Sequence, residues 1–198
     1  MELRGARIVI RPLRLEDVFY MRNWGHHENP LFSDYNFPEM DDNGIRDWFS
    51  YKTSSIFNKY YGVCNKENQL IGYIGIKGIN LLLKKSTLGI VFDPNHIDKG
   101  YGTEALKLYL GYYFTEMKMK TMHLEVTEYN QRAYHCYRKL GFKVEGYYLD
   151  DFHDQDLDLT NKYYLEAQSS FVIVNKKIYN YIYKMRLDRE DFFRLIEG

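Results

Sequence analysis

The stretch Lys99-Gly100-Tyr101-Gly102 places two glycines one residue apart, directly ahead of an apolar periodic segment that runs to Phe114. A helix start leaves several backbone N–H groups without partners and carries partial positive charge. Glycines there remove the Cβ atoms that would hold a bulky anion away from those groups. A strand, a loop with this spacing and then a helix would suit a pyrophosphate, with each charge-assisted hydrogen bond worth roughly 1.5–3 kcal/mol. Packing glycines in an ordinary turn would account for the same spacing. The loop has neither the GxxxxGK[ST] pattern of a P-loop nor the third glycine of a dinucleotide fingerprint.

Other reactive residue types offer less. Cys64 and Cys136 form no CxxC spacing and read as reduced thiols. His26 and His27 lack partners at metal-ligand spacing, so no metal is expected. The acidic run from Asp150 to Asp158 reads as a solvated loop, with attraction of a polycation as the competing reading.

Several elements must position the glycine loop. Arg7 to Leu13 alternates like a strand ending at Pro12, and Arg14 to Trp24 has the spacing of a first helix. Gly25 to Met40 reads as an irregular loop, and Met40 to Tyr60 as a second helix. Tyr60 to Pro94 reads as three successive strands, with turns at Lys66–Asn68 and Lys84–Ser86. The glycine loop and its helix follow. A strand is then expected over Thr121–Tyr129, a short helix closed by Gly141 over Asn130–Phe142, and a strand from Lys143. Phe171 to Leu187 reads as a strand pair turning at Asn175–Lys176, and the final segment as a short helix. The order predicts one α/β domain over residues 1–198.

The chain carries 27 basic and 27 acidic residues, so its total charge provides no general field toward nucleic acid or an anionic membrane. Hydrophobic residues make up 45% of it, too many for a disordered chain. No segment has the roughly 20 apolar residues of a membrane span, and the start lacks the apolar run of a signal peptide. A cytoplasmic protein acting without nucleic acid or membrane, as monomer or homodimer, is the expectation.

Two ordered segments are more specific. Gly89 to Leu106 followed by Leu124 to Phe142 resembles the GNAT superfamily of acetyl-CoA-dependent N-acetyltransferases. The second segment matches NxxAxxxYxKxGF at Asn130, Ala133, Tyr137, Lys139, Gly141 and Phe142. The first matches the [QR]xxGx[GA] loop at Gly100 and Gly102, with Ile97 where the family has Gln or Arg. Arg7 to Val18 and the tryptophan-bearing second helix look like the branch of ribosomal-protein N-terminal and polyamine acetyltransferases.

The resemblance implies a mixed, mostly antiparallel central sheet with a bulged strand and flanking helices. It implies acetyl-CoA as co-substrate, with Ile90, Val91 and Phe92 along the pantetheine arm. Asp98, Lys99, Gly100, Tyr101, Gly102 and Thr103 would surround the pyrophosphate, and Asn130 would touch the coenzyme; Asn130 is equally well explained as a helix cap. Tyr137 falls at the family's general acid, where a phenol near pKa 10 would protonate a thiolate near 8.5. The strand glutamate that many members use as base is replaced by Ser86 and Thr87. Glu125 matches the base of the ribosomal-protein type, with a strand salt bridge as the competing reading and His123 as reserve. The segment from Arg22 to Glu39 would border the acceptor. The implied reaction is acetyl transfer to a primary amine: a protein N-terminus, polyamine, aminoglycoside or amino-sugar. A non-catalytic acyl-CoA sensor is the alternative.

Overall fold

The computed structural model describes residues 1–197. In chain order the strands and helices are β1 (Leu3–Arg4), β2 (Ile8–Pro12), α1 (Leu15–Tyr20), α2 (Asp42–Thr53), β3 (Lys59–Asn65), β4 (Leu70–Asn80), β5 (Lys85–Phe92), α3 (Tyr101–Thr115), β6 (Thr121–Thr127), α4 (Gln131–Lys139), β7 (Lys143–Asp151), α5 (Lys162–Ala167), β8 (Phe171–Val174), β9 (Lys177–Asp188) and α6 (Arg189–Glu197). The chain forms two compact units, residues 1–26 with 36–122 and residues 27–35 with 123–198.

In the first unit β1 to β5 lie in sequence order, each antiparallel to the next. β3 and the Leu70–Ile76 part of β4 are buried along almost their whole length, as their runs of branched and aromatic residues require. One core cluster gathers Leu13, Val18, Met21, Trp24, Ile45, Tyr60, Cys64 and Leu70 from α1, α2 and the first strands. α3 buries Ala105, Leu106, Tyr109, Leu110, Tyr113 and Phe114 at helical spacing. Asp17 secures the entry to α1. Its carboxylate takes both terminal nitrogens of Arg11 at 2.6 and 2.8 Å, and accepts the Arg14 amide at 2.8 Å.

Bulged strands are present: β7 between Val144 and Gly146, and β4. Between Lys77 and Asn80 the pairing with β5 slips, and Gly78 takes φ +58° there, a conformation that suits a residue without Cβ. β5 itself stays in register with β4 from Thr87 to Phe92. The turn expected at Lys84–Ser86 comes earlier, at Leu81–Lys84, so three leucines read as strand form the hairpin tip. The first helix is also shorter than its periodicity suggests, passing at Met21–Asn23 into a 3-10 turn.

The second unit holds most of β6 together with β7, β8 and β9. β9 is the long central strand, antiparallel to β7 on one edge and to β8 on the other. Its aromatic core joins Leu31, Tyr129, Phe152, Leu157, Phe171 and Ile178, with Tyr129 stacked on Phe171 at 5.4 Å. The acidic segment is pinned by Phe152 and Leu157, and its carboxylates serve local turns. Asp154 accepts the Asp156 amide, Asp158 accepts the Thr160 amide and hydroxyl, and Asp151 pairs with Lys177 at 2.7 Å. α5, capped by Asn161, lies in a stretch for which the sequence reading predicts no element.

Candidate active site

In the first unit, β5 delivers the chain to Asp93, whose carboxylate is buried and fully engaged. It accepts the amides of Asn95 at 2.9 Å and Gly25 at 3.0 Å, and meets His96 Nδ1 at 3.0 Å. This fixes a 3-10 turn over Pro94–His96, after which Asp98 and then Gly100 adopt left-handed backbone, Gly100 with φ +78°. The reversal sets Gly100 as the N-cap of α3, and no side chain caps that helix start. Gly102 lies in its first turn, where an added Cβ would meet nothing closer than the Phe92 ring, at 3.6 Å.

The loop has a cationic neighbour that sequence reasoning did not single out. Arg7 Nη1 donates to the Lys99 carbonyl at 2.8 Å, Nε donates to Glu104 at 2.8 Å, and the guanidinium stacks 5.0 Å over the Tyr101 ring. A Cβ on Gly100 would sit 3.2 Å from Arg7 Nη2. Lys99 folds back, its ammonium donating to the Asn95 carbonyl at 2.7 Å. Asp98 and Thr103 lie on either side of the glycines, Asp98 and Thr103 both exposed. Ile90, Val91 and Phe92 are half-buried and pair with Ile74, Tyr73 and Gly72. An uncapped helix start, a left-handed glycine and an adjacent guanidinium form a setting that fits a diphosphate.

Also in the first unit is a cavity of about 220 Å³ lined by residues of two segments, among them Met21, Trp24, Phe37, Glu39 and Met40. Trp24 and Trp48 both pack against Tyr73 nearby, at 6.3 and 5.7 Å between ring centres. Arg22 at its rim is already committed to the Met40 carbonyl and to Asp42.

In the second unit, Asn130 caps α4: its side-chain oxygen accepts the Ala133 amide at 3.2 Å, and the residue is 5% exposed. The helix closes at Gly141, φ +93°, whose amide donates to the Arg138 carbonyl. Tyr137 lies between these ends, its ring against Phe142 at 5.8 Å. Burial, reinforced by Tyr35 and Cys136 nearby and opposed by Arg132, pushes the Tyr137 phenol well above the ordinary range. It is a weaker acid than a free phenol, so donation to a thiolate is more strongly uphill and depends more on position.

Tyr35, the second residue missed, reaches the same place from segment 27–35. It lies beside Asn130, Thr127 and Tyr137, and burial raises its phenol too. Thr127 Oγ1 is buried here beside the phenols of Tyr35 and Tyr129. Glu125 stands exposed on β6 next to the Tyr148 hydroxyl, and His123 on the same face is 3.6 Å from Glu145. His27 packs against Phe32 at 5.6 Å. Among the described residues no group of three or more His, Cys, Asp or Glu is arranged to hold a metal ion.

Comparison with known proteins decides what this geometry belongs to. The family model described as an acetyltransferase (GNAT) domain matches residues 7–143. The chain belongs to the GNAT acetyltransferase family. As a GNAT enzyme it transfers acetyl from acetyl-CoA to an amine. Its relatives include the spermidine N(1)-acetyltransferase of Escherichia coli strain K12, 29% identical over 155 residues that cover 73% of this chain and 77% of that protein. The spermidine N(1)-acetyltransferase of Vibrio cholerae is 20% identical over 87% of this chain and 96% of its own. The crystal structure of the Vibrio cholerae enzyme in complex with CoA and spermine superposes with a TM-score of 0.71 at 18% identity, over 96% of this chain and 99% of that one. That likeness establishes the GNAT fold, mixed α/β with mostly antiparallel strands. Among the described residues no helix is long and apolar enough to cross a membrane.

Proposed function

We propose that this GNAT enzyme acetylates a primary amine of a polyamine, with residues 1–198 forming one acetyltransferase domain. The observation that carries the reading is the start of α3, uncapped, entered through left-handed Gly100 and flanked by Arg7. Curated relatives over most of the chain act on spermidine, which narrows the acceptor from the amine classes left open by the sequence. The family match crosses the boundary between the two compact units, which supports treating both as one domain.

Residues 98–103 and Arg7 hold the coenzyme's diphosphate, and the backbone of Ile90, Val91 and Phe92 lies along its pantetheine arm. When bound, acetyl-CoA supplies the reactive thioester. Asn130 is both cap and coenzyme contact. Tyr137 Oη holds the proton destined for the departing sulfur. Glu125 receives the proton of the acceptor ammonium; exposed as it is, it works through water, with His123 in reserve. The cavity bordered by Trp24, Phe37 and Glu39 takes part of the acceptor, its rings contacting methylene segments and its carboxylate an ammonium. Two free cysteines suit a reducing, cytoplasmic setting. A dodecamer is described for the Vibrio cholerae enzyme, larger than the monomer or homodimer expected here, and light scattering on this chain measures which holds.

Thiol release from acetyl-CoA, measured across spermidine, spermine, an aminoglycoside, an amino-sugar and a peptide N-terminus, tests the proposal. Release with the polyamines at the highest kcat/KM is expected. Preference for another amine would overturn the acceptor, and binding without release on any amine would favour a sensor.

A further inference from the structure

The hairpin joining β4 and β5 ends in three exposed leucines, with Leu82 the most exposed large apolar residue among the described residues. Leu81, Leu82 and Leu83 are 72, 90 and 58% exposed, and Ile56 and Phe57 beside them 81 and 59%. Hydrogen bonds hold the group together. Ile79 N donates to the Phe57 carbonyl at 2.9 Å, Gly78 N to Asn58 Oδ1 at 3.1 Å, and Leu83 N to Asn80 Oδ1 at 2.8 Å. The leucines therefore stand on an ordered turn, as a convex tip. Contiguous exposed apolar surface of this kind marks an interaction site.

Charge is distributed around the tip with a clear sign. Lys77, Lys84 and Lys85 flank it on the hairpin, and Lys118 and Lys120 adjoin through a bond from the Lys120 amide to the Lys84 carbonyl at 2.8 Å. These five lysines are exposed, and Glu116 is the one acid in residues 77–85 and 116–120. Lys52 and Lys59 bracket the Ile56–Phe57 pair. Burial first, and then Lys77, lowers the proton affinity of Lys52, as expected where ammonium groups crowd. None of these lysines forms an ion pair among the described residues. The balanced total charge of the chain averages over this concentration of positive charge.

We propose that the Leu81–Leu83 tip with its lysine collar docks on an anionic lipid bilayer. A convex apolar tip ahead of a ring of ammonium groups matches the order of a membrane surface, with acyl chains inside and anionic headgroups outside. A second copy is the poorer occupant, because a two-fold interface would bring one lysine collar against another. The sequence-based expectation of no membrane partner rested on total charge and on the absence of a spanning segment, and neither addresses a local peripheral contact.

The test is flotation of the full chain with vesicles of phosphatidylcholine mixed with phosphatidylglycerol, against phosphatidylcholine alone. Binding to the mixed vesicles, released by high salt, is expected. Leu81→Ser/Leu82→Ser/Leu83→Ser should lower partition on the order of a hundredfold. Lys84→Gln with Lys85→Gln should lower it on the order of 25-fold. Both variants should keep wild-type melting temperature and acetyl transfer, since these side chains are exposed and outside the catalytic machinery. The proposal is overturned if the wild type fails to float, if it floats equally with phosphatidylcholine alone, or if the serine variant binds undiminished. Light scattering that shows self-association abolished by the serine variant, without vesicle binding, would assign the tip to a second copy instead.

Discussion

Exchanging one atom group at two glycines separates coenzyme binding from folding. Gly102 lies inside the first turn of α3, and a Cβ there meets only the Phe92 ring at 3.6 Å, an ordinary contact. Alanine is the better helix former by up to about 1 kcal/mol, so Gly102→Ala should raise the melting temperature by about 2–4 °C in a chain of this size. The same Cβ would stand where the diphosphate approaches the helix start. Loss of one or two charge-assisted hydrogen bonds, each roughly 1.5–3 kcal/mol, should weaken acetyl-CoA binding about ten- to a hundredfold or more. Gly100→Ala is the contrast. At φ +78° it costs roughly 1–2 kcal/mol in backbone strain, and its Cβ would press on Arg7 Nη2 at 3.2 Å. It should therefore melt about 2–8 °C lower. Calorimetric titration with acetyl-CoA and a thermal scan of each variant read both quantities. A Gly102→Ala protein that binds the coenzyme as wild type does would refute the placement of the diphosphate at α3.

Tyr137→Phe should lower turnover about a hundredfold or more with coenzyme affinity within about twofold, while Glu125→Gln should flatten the rise of rate with pH; single-turnover kinetics over a pH series measures both. Buried phenols also predict alkaline instability. Burial pushes Tyr61 and Tyr113 up to about 12 and raises Tyr73, Tyr109, Tyr129 and Tyr137 further. Such groups hold their protons in the folded state above pH 10, where unfolded phenols lose theirs. Their stabilisation is complete below pH 10 and falls from there toward pH 12, by about 1.4 kcal/mol for each phenol at pH 11. Absorbance at the tyrosinate band should show these six titrating only as the chain unfolds. Asp17→Ala, which strands the buried Arg11 guanidinium, should cost about 3–5 kcal/mol in urea unfolding, and Arg11→Met in the same chain should restore much of it.

What the sequence made legible was local. The glycine loop and the Asn130–Phe142 helix announce themselves because cap, periodicity and closing glycine lie within about one short helix of each other. Arg7 reaches Lys99 and Glu104 across more than ninety positions, and Tyr35 approaches Tyr137 across a hundred, so no spacing rule could join them. Leu81–Leu83 read as strand because apolar composition is silent on whether a residue faces core or water. α5 escaped notice since its six residues follow a polar run whose cap, Asn161, resembles any turn residue. Glu125 was matched by position, but its exposure, which commits it to working through water, came only with the strand's orientation.

Segment 27–35 is enclosed in sequence by the first unit yet packs its Leu31 with Phe152 and Phe171. On the ribosome Leu31 emerges about 140 residues before Phe171, a delay on the order of ten seconds. Until then this stretch, apolar at Leu31 and Phe32, has no core to enter, so the second unit's core cannot close before β8 has been made. A stop codon after β5 or α3 would leave a fragment with Leu31 and Phe32 in water, ready for chaperones or aggregation.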